Sequence, residues 1–330
     1  MLRTSSVKTQ VSDSDFSSLS IVIPSYNTKD ILINCIRSIE KNSFNNPLEI
    51  IVIDDCSVDG SVEAVKTLFP NAIVDRNITN MGFVRTVNKG IRISTGHYVL
   101  VLNSDTLLTD DTLTKMIDFM KRNPECGIGG CKICYQDGNI QYECARGRVT
   151  PLTHIFEQLC LASLFPQSSL FGKELLSFWD HADSRAVDIL SGTFMMFRRE
   201  CLNEIGLFDE VYGSFFEDVD ICYRAKMAGW QVMYFADTQI THLSGQSFAL
   251  SEQSLITNYI SRYIFFRNYY PAFPAGVLKL FSMLGLTIRL VFQFCLIVFY
   301  KSYRYDIITK KKIRAFIAAL KWHVGLRKNG

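Results

Sequence analysis

The sequence predicts an α/β fold: a Rossmann-like, mixed but mostly parallel sheet with helices on both faces. Three observations predict it. The runs SIVIP (20–24), LEIIVI (48–53) and HYVLVL (97–102) are close to continuously apolar, as strands buried on both faces are. Segments with apolar residues at helical spacing separate them. Acids and amides (Asp54, Asp55, Asn103, Asp105) follow the runs immediately, at the carboxyl edge where parallel sheets bind ligands.

In chain order, residues 1–18 are polar and aperiodic and read as a disordered tail. Ser20–Pro24 is a buried strand closed by proline. Asp30–Lys41 carries Ile31, Cys35 and Ile39 on one helical face. Leu48–Ile53 is the second strand, Ser61–Leu68 a helix, Ala72–Asp75 a short strand and Val84–Ile93 a helix. His97–Leu102 and Asp111–Arg122 repeat the alternation. Cys126–Glu143 continues with strands and a turn at QDGN (136–139). Thr153–Phe178, broken by Pro166, is a helix pair or a lid. Val187–Phe197 reads as strands joined at Ser191-Gly192, Arg199–Ile205 as a short helix, and Val219–Ala228 as a helix stopped by Gly229. Gln231–Phe235 and Gln239–Thr241 are two further short strands.

The character changes near residue 250, which divides an α/β domain (19–250) from a C-terminal helical region (251–330). Ile260–Tyr270 is aromatic and basic. Ala275–Tyr300 is strongly apolar but interrupted by Lys279 and Arg289. Its longest uncharged run, Leu290–Tyr300, falls short of the roughly 20 residues that cross a bilayer. Residues 301–330 hold nine Lys/Arg and one Asp, against a net charge of only +3 for the chain. The reading favoured is a set of helices in the membrane interface, with Lys279 and Arg289 snorkelling and the basic end on anionic headgroups. A single span and an ordinary helical subdomain are the alternatives. The low net charge argues against a nucleic-acid partner. Ten cysteines without a frame, and no apolar leader in residues 1–18, indicate reduced thiols in a cytosolic setting. Cys126, Cys131, Cys134 and Cys144 cluster; packing is the first reading and a zinc site the second.

Asp54 and Asp55 can accept from a nucleobase imide or a ribose hydroxyl; a turn-forming acid pair is the plainer alternative. Pro24, Tyr26 and Asn27 end the adjacent strand and line the same pocket. Asp105 is the candidate metal ligand, since a cation on a diphosphate needs few protein ligands. An N-cap is its structural alternative, and Asn103 and Ser104 group with the donor site. Glu217-Asp218-Val219-Asp220 puts three acids at a helix start. Asp220 suits capping, and a neighbouring carboxylate suits a general base. His242 is either structural or a second metal ligand. Gly82 permits close backbone approach to a helix N-terminus, and Arg85 faces either phosphate or solvent.

Taken together, IVIPSYN, VIDDCSVDGS, NMGFVRTVNKGI, LNSDT, LSGTFMMFRRE, GLFDEVYGSFFEDVDICYRAKMAGW and THLSGQS resemble the inverting family 2 glycosyltransferases of GT-A fold, in particular their rhamnosyltransferase-like branch. The resemblance spans roughly residues 19–250. It implies a divalent cation (Mg2+ or Mn2+), a nucleoside diphosphate-sugar donor such as dTDP-rhamnose or a UDP-sugar, and a glycan acceptor. It also implies nucleotide binding by Pro24, Tyr26, Asp54 and Asp55, metal ligation by Asp105 and His242, and a catalytic base at Asp218. Glu217 and Trp230 would shape the acceptor site. Asn103 stands where many members carry the first Asp of a DxD motif, and Val84-Arg85-Thr86 replaces smaller residues. The apolar, basic C-terminus extends the expectation to a lipid-linked acceptor at the cytoplasmic face of a membrane. A nucleotidyltransferase is the competing enzyme class, but PSYNTKD (24–30) lacks the glycine-rich triphosphate loop such an enzyme needs. A catalytically silent nucleotide-sugar-binding protein is the other alternative.

Overall fold

The structure, a computed structural model, describes residues 18–42, 44–109, 111–243, 251–300 and 306–325. The expected N-terminal tail therefore lies almost wholly outside the described residues, as do positions 244–250. The chain alternates β1 (Leu19–Ser25), α1 (Lys29–Glu40), β2 (Leu48–Asp54), α2 (Ser61–Leu68), β3 (Ile73–Arg76), α3 (Phe83–Ile93) and β4 (Tyr98–Leu102). These four strands pair in parallel in the order β3-β2-β1-β4. All seven residues of β1 are buried. Burying Ile21, Val22 and Ile23 stabilises the sheet by roughly 1.5–3 kcal/mol each.

The second half completes a mixed nine-stranded sheet. It adds β5 (Thr106–Leu108), α4 (Thr112–Arg122), β6 (Cys126–Cys134), β7 (Ala145–Arg146), α5 (Pro151–Gln158), α6 (Leu161–Leu164), β8 (Arg185–Ala186), β9 (Ile189–Leu190), β10 (Phe194–Arg198), α7 (Arg199–Ile205), α8 (Glu217–Met227) and β11 (Gln231–His242). β10 inserts antiparallel between β4 and β6, and β11 runs parallel to β6. β11 is one strand rather than the two expected, because an irregularity between Phe235 and Gln239 absorbs the break. β9 pairs with β7 rather than forming a hairpin with β10. Cys126, Cys131, Cys134 and Cys144 are buried free thiols in or beside β6, and burial pushes Cys126 up to about 12.

Three C-terminal helices follow: α9 (Glu252–Tyr269), α10 (Ala275–Phe299) and α11 (Ile307–His323). α9 and α10 meet α5 around an ionic cluster, and α11 packs on α9 and α10. Arg262 of α9 pairs with Glu157, lies 3.9 Å from Glu174, and bonds His154 Nδ1 at 2.8 Å. Burial and then the Arg262 charge push His154 down to about 3, so the ring is neutral. Burial opposes the charge on Glu157, but Arg262 holds its carboxyl below the usual range.

Arg289 does not snorkel. Its Nη2 donates to Glu157 O at 2.9 Å and its Nη1 to Gln158 O at 3.4 Å, satisfying carbonyls at the end of α5. Gly285 makes that approach possible, since a Cβ there would lie 2.6 Å from Gln158 O. Ser282 meets His154 Nε2 at 3.0 Å. About two turns of α10 are thereby fastened to α5.

Arg262→Ala leaves the buried Glu174 and the partly buried Glu157 without their cation. It is expected to cost about 3–5 kcal/mol of unfolding free energy, measured by urea denaturation; a loss below about 1 kcal/mol would mean water already solvates the cluster.

Candidate active site

The turns that end β1, β2 and β4 share one edge of the sheet and are bonded to one another. Asn27, in a left-handed conformation (φ 52°), accepts from Val58 N and donates its own N–H to Ser57 Oγ. Ser25, Thr28 and Ser104 form a hydroxyl chain with contacts of 3.0 and 3.2 Å. Pro24 ends this buried strand, and Tyr26 stands half exposed beside it.

The two acids after β2 behave differently. Asp54 accepts from Ser57 N at 2.9 Å and faces Arg76 at 3.4 Å through Oδ2. Its Oδ1 is buried with no hydrogen-bond partner within the protein, which suits a ligand N–H or O–H. Asp55 is spent internally: it accepts from Asn77 Nδ2 (2.8 Å), Met81 N (2.7 Å) and Gly82 N (2.9 Å). Asp55, expected to contact the nucleotide, thus staples β2 to the start of α3. The same bonds correct Gly82. Its positive φ of 83° turns the chain into α3, but the anion at that helix start is Asp55's own carboxylate. Arg85 is exposed and paired with Glu210 at 3.2 Å.

After β4, Asn103 N donates to Thr193 O at 3.0 Å. Asp105, almost fully buried, has His242 Nε2 3.2 Å from its Oδ1. Gln141 fixes that imidazole. Its amide N–H donates to His242 O at 3.2 Å, so its Oε1 faces Nδ1 at 2.9 Å and makes Nδ1 the protonated nitrogen. Nε2 then faces a carboxylate oxygen of Asp105, a contact that a proton on Nε2 or a cation held by both groups satisfies. A ligating histidine held by an outer amide and one carboxylate fits a divalent metal whose other positions are filled by phosphate and water. Asn103 Oδ1 is buried nearby in sequence without a partner.

Thr193 adjoins Gly192, whose Cα substituent would lie 3.7 Å from Asp218 Cβ and 3.9 Å from Glu217 Oε1. The acids at the start of α8 are therefore brought beside the Asp105 turn. Asp218 faces Arg146 at 3.5 Å. Glu217 Oε2 is buried without a hydrogen-bond partner. Burial, and then the Asp218 charge, push the Glu217 carboxyl up to about 8. Asp220, expected as a cap, instead sits inside the first turn, accepting from Arg224 (2.7 Å) and Tyr269 (2.6 Å). The N-cap is Phe216, in a left-handed conformation like Phe215.

Trp230 is not brought to the site. α8 carries the chain back across the sheet, so Trp230 precedes β11 at the edge opposite His242, bonded to Glu204 at 2.8 Å. Conversely, Arg146, Gln141 and Thr193 belong to the site and were not read from sequence. Arg146 and Gln141 lie outside every quoted motif, and Thr193, although within LSGTFMMFRRE, carries no acidic or glycine signal of its own.

Residues 20–206 match the family described as Glycosyl transferase family 2. The chain belongs to that family. This family 2 glycosyltransferase is 26% identical over 234 residues to the N-acetylglucosaminyl-diphospho-decaprenol L-rhamnosyltransferase of Mycobacterium tuberculosis, covering 66% of this chain and 74% of the relative. It is 27% identical over 227 residues to the amylovoran biosynthesis glycosyltransferase AmsB of Erwinia amylovora, covering 66% and 67%. Among solved structures, it superposes on the mannosyltransferase PcManGT from Pyrobaculum calidifontis, in complex with GDP-Man and Mn2+. The TM-score is 0.57 at 18% identity, over 94% of this chain and 88% of that one. The shared fold is GT-A.

Glu217 binds its proton more tightly folded than unfolded. That contribution to stability is complete below the unfolded carboxyl range and is lost as pH rises through about 8. Glu217→Gln cannot titrate, so its melting temperature should gain on the wild type by several degrees between pH 5 and pH 9. Parallel melting curves would refute the raised pKa.

Proposed function

We propose that this glycosyltransferase moves a sugar, with inversion, from a nucleoside diphosphate-sugar to a hydroxyl of a lipid-linked glycan acceptor in cell-surface polysaccharide assembly. The observation that carries the reading is the Asn103–Thr193 hydrogen bond, which joins the Asp105 turn to the loop packed on Asp218. One acid beside the leaving group and another beside the nucleophile are what a single displacement needs.

In this reading Asp54 Oδ1 accepts from the donor's base or ribose, with Pro24 and Tyr26 lining the same pocket. Asp105 and His242 hold Mg2+ or Mn2+, which when bound supplies positive charge beside the departing diphosphate. Asp218 receives the proton of the acceptor hydroxyl as that oxygen attacks the anomeric carbon from the face opposite the diphosphate. Arg146 orients the Asp218 carboxylate. Glu217, protonated at neutral pH, donates a hydrogen bond to an acceptor oxygen. The mycobacterial relative's name supports a deoxyhexose donor such as dTDP-rhamnose and a lipid diphosphate acceptor.

We place the enzyme on the cytoplasmic face of a membrane, lying on it. α10 is long and apolar enough to cross. However, its Ser282–Arg289 stretch is bonded to α5, and only Leu290–Phe299, about 15 Å of helix, runs beyond. That is half of a roughly 30 Å hydrocarbon layer. Leu280, Leu284, Val291, Phe292 and Val298 are exposed on α10, and α11 offers exposed Lys311, Arg314 and Lys321. The pairing suits one anionic leaflet.

Asp218→Asn is expected to lower turnover by about 10²–10⁴-fold, while a nucleoside diphosphate with Mn2+ still raises the melting temperature. Near-normal turnover would remove Asp218 as the base. The full chain should float with phosphatidylglycerol vesicles, losing roughly fivefold in affinity for each α11 cation removed, and alkaline carbonate should release it. Resistance to carbonate would mean that α10 spans.

A further inference from the structure

A second cavity, of about 230 Å³, opens along α8. Its wall on α8 is the stripe Val219, Tyr223, Met227, which begins one residue after Asp218. Val149, Ile189 and Phe265 complete an apolar floor with Val219, and all four are buried. Two cations stand at the rim. Lys226 is committed to Asp188. Arg148 is exposed, lies 5.4 Å over the Tyr223 ring and bonds the Tyr223 hydroxyl at 3.2 Å. Among the described residues no carboxylate forms an ion pair with Arg148.

A sugar would leave most of its hydroxyls without partners on such a floor. The donor's nucleotide is accounted for at the Asp54 and Asp105 turns. An anionic amphiphile suits both the floor and the spare cation. The cavity floor also packs toward α10, because Phe265 shares an apolar cluster with Leu278 in its first turn. We infer that this cavity binds the phosphate-proximal end of the acceptor's isoprenoid carrier, with Arg148 on a phosphate oxygen and the first apolar units on Val149, Ile189, Val219 and Phe265. The site deepens the lipid-linked-acceptor reading above and rests on it.

The test is calorimetric titration of the full chain with farnesyl diphosphate, below its micelle concentration, in the presence of saturating nucleoside diphosphate and Mn2+. Binding should persist with the nucleotide bound. Inorganic diphosphate and farnesol, each carrying half of the chemistry, should bind at least tenfold more weakly. Arg148→Glu should weaken farnesyl diphosphate at least tenfold and Arg148→Lys should recover most of that, with nucleotide affinity unchanged in both. Met227→Trp, at an exposed rim position that tolerates substitution, should obstruct the floor and lower affinity for farnesyl diphosphate and farnesol alike. Displacement of farnesyl diphosphate by the nucleotide would overturn the proposal by placing it in the donor site. Equal affinity for inorganic diphosphate, or indifference to both Arg148→Glu and Met227→Trp, would overturn it as well. Failure of every nucleoside diphosphate to bind would instead refute the glycosyltransferase reading, a separate result.

Discussion

The site depends on the antiparallel insertion of β10 beside β4. Because β10 runs against its neighbour, its first residues lie at the end of β4, with Phe194 opposite Leu102. The loop before it, Ser191–Thr193, is thereby laid against Asn103 and closed by the Asn103 N–Thr193 O bond. A parallel strand in that position would have put the loop at the far edge. One change of strand direction thus brings the first half of the chain, which carries Asp54 and Asp105, to the second half, which carries Glu217 and Asp218.

The C-terminal helices complete the arrangement from behind. The turn into α8 holds two consecutive non-glycine residues in left-handed conformation, Phe215 and Phe216, a costly backbone that only its surroundings can maintain. α9 supplies those surroundings. Ser261 donates to Tyr212 O and Ser214 O, Tyr269 donates to Asp220, and Arg262 lies 5.1 Å from the Phe216 ring centre. The polar cluster that fastens α9 to α5 also meets Arg289 and Ser282 of α10. The helices proposed to rest on a membrane and the acids proposed to act on the acceptor therefore belong to one packed unit, with no hinge between them in the described residues.

The parallel half was legible because its signals are local. Continuous apolar runs and periodic helices gave β1 to β4 and α1 to α4 to within a residue or two. Acids at strand ends pointed to the right edge. What could not be read depends on pairing. The direction of β10, the joining of Gln231–His242 into one strand and the departure of β9 to β7 follow from partners distant in sequence. Asp55 shows the same limit at one side chain. DD after a strand marks a site, but which carboxylate remains open to a ligand was settled by Asn77 and the amides of Met81 and Gly82. Trp230 was misplaced because helix length, not motif proximity, decides which edge a residue reaches. Arg289 was misread because a cation in an apolar helix has two ways to be satisfied, headgroups or helix-end carbonyls, and sequence does not distinguish them.

The adjacent carboxyls at the start of α8 divide their work through the charge available to them. Among the described residues, Arg146 is the one cation that pairs with either. Two carboxylates in a half-buried corner with a single guanidinium leave one negative charge uncompensated, and the fold disposes of it by protonating the more deeply placed group, Glu217. Asp218, the partly buried neighbour beside the cation, is the member that accepts a proton in the proposed mechanism. A neutral Glu217 also removes the repulsion that a second carboxylate would exert on a diphosphate or on an oxygen gaining negative charge. In the proposed mechanism the pair works as a single acid and a single base from two chemically similar side chains, and burial, not residue type, assigns the roles.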